Sequence, residues 1–337
     1  MKPFEPELVL IEEAALDYKL GREIKNKYES KGVPIRMIES HNRVKWEEEM
    51  TPLELFEKAK NTLVVGVKKT LNFKSCQPSA DYRVVTSTSC PAKCEYCYLA
   101  TNLGSAVYVR VYVNLEEILE AIKKHIKKND KEITTFEASS SSDPVAVEHI
   151  TGALKRMVQF FAKREDAKLR VATKFDNVDS LLNLEHNENI KFRFSINSSY
   201  VIKTFENFTP SLTLRLQAAN KLQKAGYPVG FMIAPIIAHD GWKDAYKEML
   251  DRVVKICFQS IEDDLTFELI MFRFSTRSKN LIEARYPDTE LKLDKEKSKH
   301  KGFGKYVYQD EVADELKRFI TEQIEIKFPN AKIDYFT

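Results

Sequence analysis

Ser89-Cys90-Pro91-Ala92-Lys93-Cys94-Glu95-Tyr96-Cys97-Tyr98-Leu99 sets three cysteines at a C-x3-C-x2-C spacing, with one tyrosine directly before the last cysteine and another directly after it. Iron–sulfur clusters are held by cysteine thiolates, and a cubane held by only three of them keeps one iron open for another ligand. The competing reading is a structural zinc site, which wants four nitrogen or sulfur ligands closed in a tetrahedron. No second cysteine or histidine pair at knuckle spacing follows. His125, His149, His186, His239 and His300 stand singly, so a fourth ligand has to come from an unmarked position. The spacing favours the open cluster over zinc.

Outward from that loop the chain alternates short apolar runs with helix-period stretches. Strands are expected at Tyr82–Val85, Ile133–Glu137, Leu169–Thr173, Lys191–Ile196, Val229–Ala234 and Leu265–Met271, followed by helical spacing such as Val145–Phe161 and Ser211–Ala225. Repeated βα units imply an α/β barrel or a doubly wound parallel sheet, and six units close only part of a barrel. Residues 1–78 are less regular and read as an N-terminal α/β extension. In it, Leu8–Glu12 and Pro34–Ile38 are strands around a polar helix, and Thr62–Val67 is a third strand. Residues 79–337 form the main domain.

Composition fits an intracellular enzyme. The 337 residues are 43% hydrophobic, and five cysteines, three of them clustered, suggest a reducing compartment and not a disulfide framework. The N-terminal Met1-Lys2-Pro3-Phe4-Glu5-Pro6 lacks a signal-peptide core, and no apolar run is long enough to cross a bilayer, so a cytoplasmic location with no membrane partner is expected. Net charge is +3, from 53 basic and 50 acidic residues, too balanced to announce a nucleic-acid partner. Lys123, Lys124, Lys127 and Lys128 read as a solvated helix face. The basic run from Lys292 to Lys305 also carries aromatics and a Gly-x-Gly turn, features suited to nucleic-acid contact.

In βα folds, chemistry gathers at the C-terminal ends of the strands. Those ends carry the Cys90 loop, Ser139-Ser140-Ser141-Ser142-Asp143, Lys174-Phe175-Asp176, Ser195-Ile196-Asn197-Ser198, Ala234-Pro235 and Phe272-Arg273. Taken singly, each is as well explained by turn and cap preference. Taken together around a cluster loop, they favour a cofactor pocket.

The cysteine spacing resembles that of the radical S-adenosylmethionine (SAM) superfamily, in which the open iron chelates SAM. The likeness sharpens along the chain. Cys97-Tyr98-Leu99-Ala100-Thr101-Asn102-Leu103-Gly104-Ser105, Tyr108-Val109-Arg110-Val111-Tyr112-Val113-Asn114, Phe136-Glu137-Ala138-Ser139, Phe192-Arg193-Phe194-Ser195-Ile196-Asn197, Gly304-Lys305-Tyr306-Val307-Tyr308 and Asp334-Tyr335-Phe336-Thr337 are similar to the spore photoproduct lyases nearly end to end. The resemblance implies a partial (β/α)6 TIM-like barrel of the radical SAM type with a C-terminal hairpin. It also implies a [4Fe-4S] cluster on Cys90, Cys94 and Cys97, and repair of the thymine adduct 5-thyminyl-5,6-dihydrothymine in double-stranded DNA of a spore or germinating cell. An electron donor such as a flavodoxin or ferredoxin is implied as well.

By the same resemblance an adenosyl radical takes a hydrogen from C6 of the adduct, and a cysteine after the Phe-Glu-Ala-Ser stretch gives one to the resulting allylic radical. Tyr96 and Tyr98 match the tyrosines that help return it; ordinary packing beside a loop is their other reading. The expected cysteine is Ser140 here, and an O–H bond is too strong to give up its hydrogen easily. Cys257 sits among apolar helix positions and reads as a buried inert thiol. Cys76, in the polar stretch Lys74-Ser75-Cys76-Gln77-Pro78, is either a relocated donor or an incidental surface thiol.

SAM is expected at Ser142, Asp143, Lys174, Ser195 and the Ala234 backbone, although Lys174 is also readable as a surface cation. A lesion that must leave the base stack calls for base flipping. His300, Lys301, Lys305 and Tyr306 suit a hairpin wedge, and Arg273 suits the lesion pocket. Two other functions remain open: a radical SAM enzyme with another nucleic-acid or protein substrate, and a metal-stabilised DNA-binding protein without turnover.

Overall fold

The computed structural model describes residues 1–46, 49–257 and 265–337. Its strands are β1 (Leu8–Glu12), β2 (Ile35–Ile38), β3 (Thr62–Gly66), β4 (Ser75–Cys76), β5 (Ala80–Arg83), β6 (Ser87–Thr88), β7 (Lys93–Cys94), β8 (Val109–Tyr112) and β9 (Thr134–Glu137), then β10 (Ala167–Thr173), β11 (Ile190–Ile196), β12 (Glu206–Asn207), β13 (Val229–Ile236), β14 (Thr266–Met271), β15 (Phe274–Ser275), β16 (Lys299–His300), β17 (Lys305–Val307) and β18 (Lys332–Phe336).

The barrel sheet has the order β18-β14-β13-β11-β10-β9-β5-β4. Its pairs from β5 through β14 to β18 are all parallel, and β4 joins antiparallel at one edge. Six of these strands match the expected βα rhythm. The seventh parallel strand, β18, was not expected. It lies beside β14, where Ile333 and Phe336 pack on the core and the Tyr335 hydroxyl donates to Glu268 at 2.6 Å. The eight strands make an open, curled half-barrel.

The first sheet has the order β2-β1-β3-β8-β6, so it takes in strands from beyond residue 78. β8 was missed because Val109-Arg110-Val111-Tyr112 does not read as a buried strand with an arginine inside it, yet all four residues are buried. The tyrosine hydroxyls at positions 108 and 112 accept from the two terminal nitrogens of Arg110. Residues 87–88 and 109–112 thus tie this sheet to the cysteine loop between them.

The expected helix Val145–Phe161 is divided. A short 3-10 turn and the helix Glu148–Thr151 end at Gly152, whose φ of +58° needs no Cβ accommodated, and the helix Ala153–Phe161 starts anew. The Glu148 carboxylate accepts the N–H groups of Leu154 and Lys155 at 2.7 and 2.9 Å, capping the second helix. The lysines at 123, 124, 127 and 128 are exposed, as a solvated face requires.

Candidate active site

The cysteine loop begins at a strained residue. Ser89 has φ of +62°, and it is held there by its N–H on the Ser141 carbonyl at 2.8 Å and its hydroxyl on the Val107 carbonyl at 2.6 Å. Lys60, buried at the end of the helix Pro52–Lys60, donates to Ser89 Oγ at 3.3 Å and to the Cys90 carbonyl at 2.8 Å. Cys94 lies on β7, which pairs with β12 opposite Glu206. Cys97 caps the helix Tyr98–Leu103, its sulfur accepting the Ala100 N–H at 3.5 Å.

All five cysteines are free thiols. Burial pushes the Cys90 thiol up to about 12 and the Cys94 thiol well up, and each neighbouring thiolate adds to the cost. Lys60 beside Cys90 and Lys174 beside Cys94 work the other way. Three thiols that repel one another as thiolates ionise together when a multiply charged metal centre takes them. Among the described residues no three His, Cys, Asp or Glu side chains are grouped to ligate one metal ion, as a zinc site requires. Cubane ligands each take a different iron and need not converge on one point, so this donor set fits a cluster.

Next to the cysteines, Lys174, Ser195 and Ala234 meet. Lys174 Nζ donates to Ser195 Oγ at 2.8 Å, and Ser195 Oγ donates to the Ala234 carbonyl at 3.4 Å. Lys174 is therefore no surface cation. Its ammonium also reaches Glu206 at 2.9 Å and the Tyr96 hydroxyl at 3.4 Å. Glu206 is fully enclosed and binds Arg215 at 2.5 Å, while Tyr96 donates to its other side. Burial by itself raises a carboxyl, but Arg215 and Lys174 outweigh it and hold Glu206 down to about 2. Burial, with the Glu206 charge beside it, pushes the Tyr96 phenol well above its usual range, so it stays protonated. Tyr98, one residue past Cys97, is 73% exposed.

The serine run does two separate jobs. Ser142 Oγ is buried and bonded to Ser87 Oγ at 2.7 Å, and Ser142 bridges to Ser89, lacing the β9 loop to the cysteine loop. Asp143 ties its own loop to the end of β10: it accepts the Thr173 hydroxyl at 2.8 Å, the Lys174 N–H at 2.9 Å and the Val145 N–H at 3.2 Å. Burial raises its carboxyl to about 6 against those bonds.

Ser140 Oγ is buried without a hydrogen-bond partner. Beside it stands Cys76, half-buried on the edge strand β4 and not in the loop the sequence suggests. Cys257 donates to the Leu216 carbonyl at 3.4 Å from inside the helical layer, as an inert thiol does.

Residues 299–307 form the expected hairpin, in the order β15-β17-β16. Its turn runs through Gly302, Phe303 and Gly304, all with positive φ, and Phe303 at the tip is 102% exposed. His300, Lys301 and Lys305 are exposed, and the Tyr306 ring stacks on Phe274 at 5.2 Å. Arg273, exposed, precedes β15. The helix Thr276–Arg285 links hairpin to cysteine loop: Thr276 N–H bonds the Gly304 carbonyl, and Arg285 reaches the carbonyls of Ala100 and Gly104. A cleft of about 830 Å³ opens between Phe303, Arg277, Arg285 and the helix Pro52–Lys60.

The family model for spore photoproduct lyase matches residues 4–337. The chain belongs to the spore photoproduct lyase family. It is 46% identical to the spore photoproduct lyase of Bacillus subtilis (strain 168), covering 99% of both chains, and 39% identical to that of Clostridium acetobutylicum, covering 97% of both. Among solved structures it matches a spore photoproduct lyase complexed with dinucleoside spore photoproduct, with a TM-score of 0.96, 46% identity and 100% of both chains covered. It matches equally well, at 0.96 and 46% over both whole chains, a variant with one cysteine-to-alanine and one serine-to-cysteine exchange bearing AdoMet and dinucleoside spore photoproduct. The spore photoproduct lyases are radical SAM lyases that use a [4Fe-4S] cluster.

In this member of the spore photoproduct lyase family, sequence reasoning missed Glu206, Arg215 and Lys60. Arg215 had a signal: it falls on the buried face of the helix Leu212–Lys224, between Leu212 and Leu216, where a cation needs a buried partner. Glu206 had none, because its role arises only when β12 pairs with β7.

Proposed function

We propose that this chain reverses 5-thyminyl-5,6-dihydrothymine in DNA to two thymines by radical SAM chemistry. The observation that carries this reading is the whole-chain match to a family structure holding the dinucleoside spore photoproduct, together with three free thiols in the cluster spacing. Cys90, Cys94 and Cys97 hold the cluster. Ser195, Lys174 and the Ala234 carbonyl line the SAM site, with Ser142 and Asp143 shaping its wall. When bound, the cluster supplies the electron that cleaves SAM to a 5′-deoxyadenosyl radical.

The remaining roles belong to this chain's own side chains. Cys76 gives its Sγ–H hydrogen atom to the thymine allylic radical, so that an S–H bond breaks, a C–H bond forms and a thiyl radical remains. Burial and the Glu137 charge push the Cys76 thiol up, which keeps the transferable hydrogen in place at neutral pH. The phenols of Tyr98 and Tyr96 return a hydrogen atom to the thiyl and recover one from 5′-deoxyadenosine. The hairpin with Phe303 at its tip, flanked by His300, Lys301, Lys305 and Tyr306, wedges the duplex open, and Arg273 faces the extruded lesion.

The partners in this reading are double-stranded DNA carrying the photoproduct and a small electron donor of the flavodoxin or ferredoxin kind. The setting is the cytoplasm of a spore-forming cell at germination. No helix among the described residues is long and apolar enough to cross a membrane.

Ser140 favours one rival: a chain that makes the radical but lacks a donor. Anaerobic reconstitution with dithionite, SAM and the synthetic adduct, followed by chromatography, separates the two. Two thymines with little 5′-deoxyadenosine per turnover establish repair. SAM cleavage with side adducts, or with no thymine, overturns it.

A further inference from the structure

Val67-Lys68-Lys69 leaves β3 at the C-terminal end of that strand in the first sheet, and its neighbours there are cationic. The Lys68 backbone is clamped by the buried Asn114, which accepts the Lys68 N–H at 2.8 Å and donates to its carbonyl at 3.0 Å. Its ammonium lies 5.4 Å from the centre of the Tyr112 ring. Behind it, Arg110 is only 7% exposed and donates to the hydroxyls of Tyr108 at 2.7 Å and Tyr112 at 3.4 Å, while its Nε has no partner. Arg83 bonds through its N–H to the Lys74 carbonyl at 2.9 Å, two residues before Cys76. The Tyr112 N–H bonds the Thr86 carbonyl at 3.0 Å, which sets the chain just after Arg83 beside β8, and burial, followed by the charges of Arg110, Arg83 and Lys74, pulls the Lys68 ammonium below its usual range.

Among the described residues none of Lys68, Lys74, Arg83 and Arg110 pairs with a carboxylate. Glu12, the nearby acid, is taken up by His41 at 2.6 Å and the Val67 N–H at 2.9 Å, with Lys69 at 3.6 Å. Glu137 is held by Arg193, Ser79 and Ser139. Guanidinium and ammonium groups gathered without an anion, one of them buried and bonded only to neutral hydroxyls, make a receptor for phosphate. The gathering borders Cys76, where the substrate strand has to lie.

We propose that Lys68, Lys74 and Arg83, backed by Arg110, hold a backbone phosphate of the lesion strand beside Cys76. This rests on the reading under Proposed function, and it adds a strand-positioning contact on the N-terminal side, opposite in sequence to the hairpin. An acidic redox protein is the competing occupant.

The test compares wild-type holoenzyme with K68Q/K74Q. Binding of a fluorescent duplex carrying the adduct is followed by anisotropy over a salt series, and repair is assayed on the dinucleoside adduct, which has no phosphate. The expected result is a salt slope reduced by about 0.9, the contribution of one phosphate contact, with about tenfold weaker binding at low salt. Dinucleoside repair stays at the wild-type rate, and K68R/K74R keeps the wild-type slope. An unchanged slope overturns the proposal. So does wild-type binding with slowed reduction by flavodoxin and normal dithionite-driven turnover, which assigns the patch to the redox partner. Should wild-type enzyme fail on the dinucleoside while the slope still falls, the repair reading fails and the phosphate site stands.

Discussion

Ser140 Oγ, in the loop that follows β9, stands beside Cys76 Sγ on β4, and the hydroxyl draws the thiol's pKa down against burial and the Glu137 charge. The thiol and the hydroxyl thus occupy one corner of the pocket, so a donor at either position addresses the same point. Cys76→Ala is expected to cut thymine formation from the adduct by about a hundredfold while SAM cleavage continues, the signature of a lost transfer step. Cys76→Ala/Ser140→Cys restores repair. Chromatography of products and of 5′-deoxyadenosine reads both, and clean thymine from the single variant would sink the assignment.

Glu206 neutralises two cations, Lys174 at 2.9 Å and Arg215 at 2.5 Å, in a space without solvent. Glu206→Gln leaves both charges without a counter-ion, a loss of about 3–5 kcal/mol of stability in the apoprotein. The thermal midpoint by circular dichroism is expected to drop accordingly, and Glu206→Gln/Lys174→Met to recover part of the loss. A single variant as stable as wild type would show that the network carries no weight.

The parts legible in the sequence are those in which the chemistry is contiguous or periodic. Cys90, Cys94 and Cys97 announce themselves because one loop carries all three, and β10 and β11 do so because a buried apolar set, Leu169 and Val171, then Ile190, Phe192, Phe194 and Ile196, alternates with polar residues along them. Lys174, Ser195 and Ala234 follow once strand ends are known. What stayed hidden depends on pairing between distant segments. Arg110 disguised β8, β18 joined a sheet whose other strands lie far upstream, and Glu206 met Lys174 and Arg215 only in the folded chain. Asp143 was legible as a polar strand-end residue, but the groups that occupy its carboxylate, the Val145 N–H with the Thr173 hydroxyl and Lys174 N–H from the end of β10, meet only in the folded chain.

Glu148, a helix cap remote from the cysteines, gives the protein a pH signature. Burial raises its carboxyl from 4.5 to about 7 despite two backbone donors. The folded state therefore binds a proton more tightly than the unfolded chain, and this contribution makes stability fall as pH rises from 4.5 to about 7 and level off above that. The loss is on the order of 3 kcal/mol. Urea midpoints at pH 5 and pH 7.5 are expected to differ more for wild type than for Glu148→Gln. Equal differences would mean that Glu148 does not titrate in this window.

Phe303 stands clear of the protein on a turn made by Gly302 and Gly304, with φ of +78° and +66°. An apolar ring held out in water by two residues in the left-handed region contributes nothing to the fold, and a wedge that replaces a base in the stack needs just such an apolar tip. Unstacking a lesion from duplex DNA costs a few kcal/mol, whereas a dinucleoside has no duplex to open. Phe303→Ala is expected to lower kcat/KM on a lesion-bearing duplex by about tenfold or more and to leave the dinucleoside reaction unchanged, with the apoprotein's thermal midpoint unmoved. Equal losses on both substrates would place Phe303 in the chemistry of the pocket, and no loss on either would remove the hairpin tip from strand opening.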